Sequence, residues 1–237
     1  MAESLKDKVV VVIGASSGIG RVTATLFAKE GARVMASARR EDRLRSLRAE
    51  TGVEVFAGDA TKPDDMARLV SQTRMLLGEI DILVYVTGDN TPDRQLKRLT
   101  PAIWDAMVSV NLNGAFYATH AVLPSLREHA GGLLIYVASV SALAADISGA
   151  AYQAAKRGVL GLAHAVRFEE KANGIRTSVV CPGLVETEIL EKRPVKVAPE
   201  TLAKALQPID VAEAIIGVAK MPARATVTEL HLYPTAL

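Results

Sequence analysis

Short apolar runs alternate along this chain with longer segments of mixed polarity. Residues 9–13 form an unbroken β-branched run, which is typical of a strand buried on both faces of a sheet. Comparable runs predict further strands at residues 33–38, 53–57, 80–86, 133–138, 175–181 and 226–232. The intervening segments predict helices at residues 21–30, 41–50, 64–77, 101–128, 151–171 and 209–219, the longest of them bent or interrupted near Gly114.

This alternation of strand and helix predicts the fold class. Parallel strands need crossover connections, and helices between strands supply them. We therefore expect an α/β protein with a single domain over residues 1–237, built as a Rossmann-type doubly wound parallel sheet of about seven strands with helices on both faces. Residues 187–208 are the least regular part and predict a mobile segment on the substrate side of a site. A solvated surface loop is the alternative.

Composition narrows the class of protein. Hydrophobic residues make up 49% of the chain but aromatic residues only 4%, which suits an aliphatic sheet covered by helices. The net charge of +2, without a basic stripe, argues against a nucleic-acid partner. The single cysteine fits a reducing compartment, and the sequence shows neither a signal-peptide pattern nor a bilayer-spanning apolar run. We expect a cytoplasmic protein with no membrane partner. The four histidines share no ligand spacing, so no metal site is predicted.

A glycine-rich loop lies between the first strand and the first helix. Its spacing, Gly-x-x-x-Gly-x-Gly, allows a tight turn and a close backbone approach to a pyrophosphate at the helix N-terminus. A plain strand-to-helix turn is the alternative, but the position after the first strand of an α/β chain favours a dinucleotide site. The predicted phosphate-binding residues are Gly14, Ser16, Ser17, Gly18, Ile19 and Gly20.

The end of the second strand favours one dinucleotide over the other. An acidic residue usually stands there to bind the ribose 2′-hydroxyl, but this chain has Ala38 followed by Arg39 and Arg40. A guanidinium suits bidentate binding of a phosphate. The sequence therefore predicts NADP(H) rather than NAD(H), with Arg39 ahead of Arg40 as the ligand of the 2′-phosphate. Alternatively, the two arginines merely open a solvated helix.

Tyr152 and Lys156 lie four positions apart in a predicted helix, so their side chains share one face. A tyrosine is a poor acid or base catalyst at its usual pKa of about 10. A lysine ammonium one turn away favours the phenolate, and we expect it to bring the pKa of Tyr152 toward neutrality. The pair follows a nucleotide loop and Ser139 at a strand end, and this combination predicts an acid–base site.

With these features the chain resembles the short-chain dehydrogenase/reductase family over nearly its whole length. The matching pieces are the loop from Gly14 to Gly20, Asp59, Asn111, Ser139, the Tyr152 and Lys156 pair, and Pro182-Gly183 with Thr187 beyond. The resemblance implies an NADP(H)-dependent enzyme that interconverts a ketone or aldehyde and an alcohol by hydride transfer. It also implies a homo-oligomer, a dimer or tetramer, with the helices at residues 101–128 and 151–171 at its interfaces. Ala151, Ala154 and Ala155 would allow close approach there.

The resemblance further implies a role for each matching residue. Tyr152 is the general acid in carbonyl reduction and the base in alcohol oxidation, and Ser139 hydrogen-bonds the substrate oxygen. Lys156 holds the nicotinamide ribose, and Asn111 keeps a water in a proton relay to it through its backbone. The other implied cofactor contacts are Asp59, Ala60, Gly88, Pro182, Gly183, Val185 and Thr187, and the implied substrate-lining residues are Val140, Ser141, Ala145, Leu184 and Ile189.

Mostly aliphatic stretches flank the implied substrate position. We therefore expect a small to medium, largely neutral carbonyl compound or the matching alcohol, bound with broad specificity. Two other functions stay open, because a fold alone does not prove turnover. One is a catalytically silent dinucleotide-binding regulatory protein, and the other is an epimerase or dehydratase on the same fold.

The chain departs from the family's pattern at two places. Ile13 stands where the family usually has threonine, and Tyr85-Val86-Thr87-Gly88 stands where it usually has Asn-Asn-Ala-Gly. In the family, that threonine and one of those asparagines join two strand ends by a hydrogen bond. Because replacing both partners of a buried polar pair can be nearly neutral, we interpret Ile13 and Val86 as a coupled swap.

Overall fold

The computed structural model describes residues 2–237, which alternate strand and helix as the sequence predicts. The strands are β1 (Val9–Ile13), β2 (Arg33–Ala38), β3 (Glu54–Ala57), β4 (Ile82–Tyr85), β5 (Gly132–Val137), β6 (Ile175–Pro182) and β7 (Glu229–Leu232). The helices are α1 (Gly18–Lys29), α2 (Glu41–Thr51), α3 (Pro63–Leu77), α4 (Pro101–Val108), α5 (Gly114–Glu128), α6 (Ala150–Glu170), α7 (Pro199–Leu202) and α8 (Pro208–Ala219).

The strands form one parallel sheet in the order β3-β2-β1-β4-β5-β6-β7. The direction of winding reverses between β1 and β4, because the chain first builds outward through β2 and β3 and then crosses back. Ligands of doubly wound sheets bind at such a reversal, outside the carboxyl ends of the strands. The predicted fold is confirmed.

Each face of the sheet carries its own apolar core. Alternate residues of a strand point to opposite faces, so Val10 and Val12 of β1 enter one cluster while Val9, Val11 and Ile13 enter the other. Helices α1, α2 and α8 contribute buried side chains to the first cluster, and α3, α5 and α6 contribute them to the second. An unbroken apolar strand is thus explained by helices on both sides.

The long helix predicted at residues 101–128 differs from a simple bent helix. Helix α4 is followed directly by a π-helical turn, Ser109–Asn113, and α5 then begins at Gly114. The irregularity predicted near Gly114 therefore lies in the five preceding residues, which include Asn111. Such π-turns are short, and they occur often at functional sites.

Smaller differences concern where elements begin. Helix α1 begins at Gly18, inside the predicted loop, so the glycines belong partly to the first helical turn. The edge strand β7 begins at Glu229 rather than at residue 226, although Thr228 already accepts a hydrogen bond from the Val179 amide at 3.0 Å. Ala151 and Ala155 are buried within the chain, which leaves only Ala154 of the three alanines exposed for a helix-to-helix interface.

The segment predicted to be mobile, residues 187–208, contains two short helical pieces. A 3₁₀ turn spans Glu188–Lys192, and α7 spans Pro199–Leu202. An isolated parallel bridge joins Val185 to Leu206, so the segment leaves and rejoins the body of the protein at neighbouring points. Its mobility stays a prediction.

Candidate active site

A cleft of about 420 Å³ opens at the carboxyl ends of the central strands, where the winding of the sheet reverses. The residues predicted to bind a cofactor all line it. They are Gly14, Ser16, Ser17, Gly18, Ile19, Gly20, Arg39, Arg40, Asp59, Ala60, Gly88, Tyr152, Lys156, Pro182, Gly183, Val185 and Thr187. Residues that are scattered along the sequence therefore share one surface.

The glycine loop has the shape of an anion cradle. Gly14 has a φ of +100°, and a Cβ atom there would lie 2.8 Å from the amide nitrogen of Thr87. A Cβ atom at Gly20 would lie 2.2 Å from the carbonyl oxygen of Gly14. Ser17 precedes α1 in an extended conformation and makes no side-chain cap. The amides of the first helical turn therefore face the cleft without a side-chain acceptor, so the loop fits a dinucleotide pyrophosphate.

Arg40 braces this loop. Its guanidinium donates to Ser16 Oγ at 2.9 Å and to Ser17 Oγ at 2.6 Å, and it pairs with Glu188 at 2.8 Å. The Arg39 side chain, in contrast, lines the cleft without a hydrogen bond or ion pair to any of residues 2–237. Of the two guanidinium groups at the end of β2, that of Arg40 is therefore bound to other residues of the chain and that of Arg39 is not.

Ser139, Tyr152 and Lys156 converge at the other end of the cleft. Ser139 follows Ala138 just beyond the end of β5, while Tyr152 and Lys156 lie on the first two turns of α6. The ammonium group of Lys156 is 5.7 Å from the centre of the Tyr152 ring and donates to the carbonyl of Val137 at 3.1 Å. Lys156 is only 3% exposed, and Tyr152 is half-buried. The spacing read from the sequence does place both side chains on one face.

The pKa of Tyr152 differs from the prediction. Burial raises it to about 12, while the interaction with Ser139 works in the opposite direction. Burial also lowers the pKa of Lys156 to about 8. The prediction that the lysine brings the pKa of the tyrosine toward neutrality was wrong, because burial disfavours the phenolate and Lys156 is not among the groups that lower the pKa of Tyr152.

Asn111 lies behind the cleft rather than in its wall. It is fully buried in the π-turn, where its amide group donates to the carbonyls of Asp89 and Met107, both at 2.9 Å. Its side-chain oxygen accepts from the Asp89 amide at 3.1 Å. A Cβ atom at Gly88 would lie 3.0 Å from Lys156 Nζ and 3.2 Å from Asn111 Oδ1. Asn111 therefore fixes the Gly88-Asp89 loop against Lys156.

The substrate side of the cleft is more polar than predicted. Val140, Ser141, Leu184 and Ile189 line it, but Ala145 does not, because that turn carries it outward into solvent. Charged side chains outside the predicted substrate-lining set also line the cleft, namely Asp89, Arg94, Asp146, Lys192 and Arg193. Their contribution depends on long-range folding, so the local pattern gave no signal for Arg94 in particular.

A chain of hydroxyl groups leads from Ser139 to a carboxylate. Ser139 Oγ donates to Ser141 Oγ at 3.1 Å, and Ser141 Oγ donates to Asp146 Oδ2 at 2.6 Å. The other oxygen of Asp146 accepts from the Ser148 amide at 2.8 Å. This network holds the Ser139 side chain in place beside Tyr152.

Ion pairs hold the 3₁₀ turn Glu188–Lys192 over the cleft. Glu188 pairs with Arg40 at 2.8 Å and with Arg43 at 2.7 Å, so these guanidinium groups lower its pKa to about 2. Lys192 contacts both oxygens of Asp89, at 2.6 and 2.7 Å. The 3₁₀ turn is thus joined through Arg40 to the nucleotide loop at one end and to the Gly88-Asp89 loop at the other.

The two departures from the family's pattern do not form one pair. Ile13 packs in the same cluster as Tyr85, whereas Val86 packs on the opposite face of the sheet. The strand ends are joined instead by the backbone, with the Val86 amide donating to the Ile13 carbonyl at 2.9 Å. The buried Tyr85 hydroxyl donates to the carbonyl of Val110 in the π-turn at 2.8 Å. A Cβ atom at Gly114 would lie 2.3 Å from that hydroxyl oxygen.

Two kinds of feature are absent from residues 2–237. No group of three or more histidine, cysteine, aspartate or glutamate side chains in that part of the chain could hold a metal ion. No helix in it combines the length and the hydropathy needed to cross a membrane.

Comparison with known proteins places this cleft in context. The model of the short chain dehydrogenase family matches residues 8–197. An uncharacterized oxidoreductase of Staphylococcus saprophyticus is 34% identical over 242 residues, covering 98% of this chain and 98% of that protein. An uncharacterized oxidoreductase of Staphylococcus aureus strain MRSA252 is 32% identical over 237 residues, covering 97% and 98%.

Solved structures agree on the fold. An alcohol dehydrogenase from the archaeon Thermococcus sibiricus, complexed with 5-hydroxy-NADP, superposes with a TM-score of 0.85 at 28% identity, covering 97% of each chain. A structure described as ribose-5-phosphate isomerase from Brucella melitensis 16M has a TM-score of 0.91 at 24% identity, covering 99% of this chain and 93% of that one. At that identity the second similarity bears on the fold alone.

Proposed function

Because this chain belongs to the short-chain dehydrogenase family, we propose that it is an NADP(H)-dependent oxidoreductase that interconverts a carbonyl compound and an alcohol. The observation that carries the proposal is the convergence of Ser139, Tyr152 and Lys156 at one end of a cleft whose other end is an anion cradle. A silent binding protein would not need a buried lysine beside a half-buried tyrosine hydroxyl.

The bound dinucleotide would supply or accept the hydride, and the chain's own residues would handle the proton. In reduction, Tyr152 donates its hydroxyl proton to the carbonyl oxygen as the alcohol forms, and solvent returns a proton to it. The Ser139 hydroxyl, which donates to Ser141 Oγ in the free protein, turns its proton to the same oxygen and stabilises its developing charge. In oxidation each step runs in reverse.

Lys156 and Asn111 support this proton transfer. Lys156 places a positive charge within 5.7 Å of the Tyr152 ring, which favours the phenolate once the proton has left. A nicotinamide ribose held by Lys156 would displace solvent from both groups. Asn111 holds the Gly88-Asp89 loop on the far side of Lys156 and thereby fixes where the ammonium group lies.

The charge at the end of β2 supports NADP(H) over NAD(H). Arg39 and Arg40, not a carboxylate, directly follow Ala38, so the strand end itself has no acid to bind a ribose 2′-hydroxyl in the usual way. Arg39 lines the cleft with its donors uncommitted, and a guanidinium suits a 2′-phosphate. The complex of the archaeal relative with 5-hydroxy-NADP is consistent with this choice.

The test is a panel of ketones and aldehydes assayed for oxidation of NADPH, with Tyr152→Phe as the control variant. We expect turnover by the unmodified protein and a loss of at least about a thousandfold in Tyr152→Phe, because only the proton donor is removed. Calorimetry should give the same NADPH affinity for both proteins. A Tyr152→Phe variant that turns over at the unmodified rate would show that the assigned mechanism is wrong.

We also expect the protein to assemble as a homodimer or homotetramer in the cytoplasm. Support comes from apolar side chains left exposed on the two long helices, among them Phe116 on α5 at 47% and Phe168 on α6 at 72% exposure. Closed symmetric assemblies commonly bury such side chains.

A further inference from the structure

Arg94 is a buried cation whose charge is not matched by an ion pair. It is 6% exposed and lies in the loop between β4 and α4. Its hydrogen bonds go to two backbone carbonyls, from Nε to Thr91 at 2.8 Å and from Nη2 to Lys192 at 3.1 Å. Among residues 2–237, no carboxylate lies within ion-pair distance of it. Buried guanidinium groups are usually paired, so this one requires an explanation.

The surplus charge of Arg94 faces the substrate side of the cleft. Arg94 lines the cleft together with Ser139 and Tyr152, and its Nη1 donors have no hydrogen bond to the protein in residues 2–237. Arg193 lines the same region, half-buried and likewise without an ion pair to those residues. Two guanidinium groups thus line the cleft, close enough for their charges to interact.

Two carboxylates line the same cleft, of which Asp89 is ion-paired and Asp146 is hydrogen-bonded but keeps its charge. Asp89 is held through both of its oxygens by Lys192, at 2.6 and 2.7 Å. Asp146 accepts from Ser141 Oγ at 2.6 Å and from the Ser148 amide at 2.8 Å. Burial lowers the pKa of Arg94 and the charge of Arg193 lowers it further, while Tyr152 and Asp146 raise it in part, so an anion from outside the chain would add to that compensation.

The backbone fixes Arg94 relative to the reacting groups. A Cβ atom at Gly149 would lie 2.4 Å from the Arg94 carbonyl oxygen and 2.7 Å from its Cβ. Gly149, with a φ of +87°, directly precedes α6, whose first turn carries Tyr152. The loop of Arg94 therefore packs directly on the start of α6, and the Arg94 charge lies close enough to Tyr152 to lower the pKa of that hydroxyl.

We propose that Arg94 and Arg193 bind a carboxylate carried by the carbonyl substrate, so that the enzyme acts on oxo acids and the matching hydroxy acids. This inference rests on the proposed function and replaces the largely neutral substrate expected from the sequence. A planar carboxylate matches the fork of guanidinium donors. A phosphate monoester shares that chemistry, and the experiment separates the two.

The experiment compares acids with their neutral counterparts. Pyruvate, acetoacetate and levulinate are each assayed with NADPH beside their methyl esters, and dihydroxyacetone phosphate is assayed beside dihydroxyacetone. We expect at least one acid to exceed its ester in kcat/KM by about tenfold or more, as a charge-assisted contact provides. Selectivity for the phosphate pair without selectivity for any acid would overturn the carboxylate assignment. Equal rates for every charged and neutral pair would overturn the whole inference.

Variants separate recognition from structure. Arg193→Gln removes a half-buried guanidinium without an ion-pair partner, and we expect it to lower kcat/KM for the preferred acid about tenfold while leaving the ester within twofold. Arg94→Gln should do the same more strongly, with Arg94→Lys intermediate in effect. The NADPH affinity measured by calorimetry checks that each variant is folded. Equal losses on acid and ester in both variants would leave Arg94 and Arg193 with a purely structural role and overturn the proposal.

Binding without turnover distinguishes this inference from the proposed function. If no carbonyl compound is reduced, the proposed function fails, and calorimetry of the three acids with NADPH-loaded protein decides the inference. Saturable binding of an acid but not of its ester, lost in Arg193→Gln, supports it. Equal binding of acid and ester, or no binding of either, overturns it.

Discussion

Arg40 and Glu188 form a 2.8 Å ion pair across 148 positions of sequence. The contact joins the cofactor end of the cleft to the 3₁₀ turn that covers the substrate end. Glu188 also contacts Arg43 at 2.7 Å. The Glu188 carboxylate therefore pairs with guanidinium groups that lie beside the predicted 2′-phosphate position. Cofactor binding and the position of the 3₁₀ turn thus depend on the same residues.

Glu188→Gln should strengthen NADPH binding by about threefold, because it removes a negative charge near the phosphate while the partners stay largely exposed. NADH affinity should change less, since NADH lacks that phosphate. The gain should shrink at high salt. Calorimetry with both cofactors measures this. Glu186→Gln is the control, because Glu186 accepts from Gln207 and not from an arginine. A gain that is the same for NADH and NADPH would contradict the account.

Arg39→Ala should weaken NADPH binding about tenfold or more and leave NADH binding nearly unchanged, because its free donors suit only the phosphate. Arg40→Ala should weaken both cofactors, since Arg40 also braces Ser16 and Ser17 in the loop. Titration of each variant with both cofactors separates the two roles. Tighter binding of NADH than NADPH by the unmodified protein would refute the predicted cofactor choice.

Lys156→Met should make the protein more stable at pH 7 while abolishing its activity. The folded-state pKa of Lys156 is about 8, below its ordinary value of 10.5, so the unfolded chain holds the proton more tightly between these values. The unfolding free energy of the unmodified protein therefore rises with pH across that window. We expect the variant to gain on the order of 2 kcal/mol at pH 7, with the gap closing as pH approaches 10.

Urea unfolding of both proteins at several pH values measures that gap. Lys204→Met is the control, because Lys204 is exposed and its loss should leave the pH profile unchanged. A constant difference between Lys156→Met and the unmodified protein at all pH values would show that the buried ammonium is not the cause.

Ile13→Thr should destabilise the protein by about 1 to 2 kcal/mol, since a hydroxyl would enter an apolar cluster without an assured partner. Adding Val86→Asn should not recover the loss, because the two side chains lie on opposite faces of the sheet. A denaturant double-mutant cycle measures the coupling. A coupling energy well above about 0.5 kcal/mol would restore the interpretation as a compensating pair.

Phe168→Glu should reduce the mass measured by light scattering at micromolar concentration if α6 lies in a subunit interface. The side chain is 72% exposed, so the substitution should cost little stability within one chain. Met75→Glu on α3 is the matched control, with 76% exposure on a helix outside the predicted interface. A monomeric mass for the unmodified protein would contradict the predicted assembly.

Local pattern was enough to predict most of the fold. The apolar residues of a strand such as β1 are enough to predict that the strand is buried, and glycines such as Gly31 and Gly78 indicate where helices end. The glycine loop and the spacing of Tyr152 and Lys156 likewise indicate a function from residues that lie only a few positions apart in sequence. Every residue predicted to bind the cofactor accordingly lines the cleft, and the contact of each with a cofactor stays a prediction.

The substrate half depends on contacts that no local pattern contains. Arg94 is buried because Gly149 and Lys192, far along the chain, close around it. The direction in which the pKa of Tyr152 shifts depends on how deeply the folded cleft buries its side chain. The spacing of Tyr152 and Lys156 alone therefore predicted a shift in the wrong direction. The family resemblance implies Ala145 as a substrate-lining residue, yet its turn projects into solvent.

The close approach of Tyr85 to Gly114 makes the identities of these two residues depend on each other. Any side chain at residue 114 would overlap the tyrosine hydroxyl, whereas glycine leaves that space to the ring. An alanine at residue 114 would therefore displace the hydroxyl from the carbonyl of Val110 and disturb the π-turn that holds Asn111. A smaller residue at position 85 would be needed to make room for it.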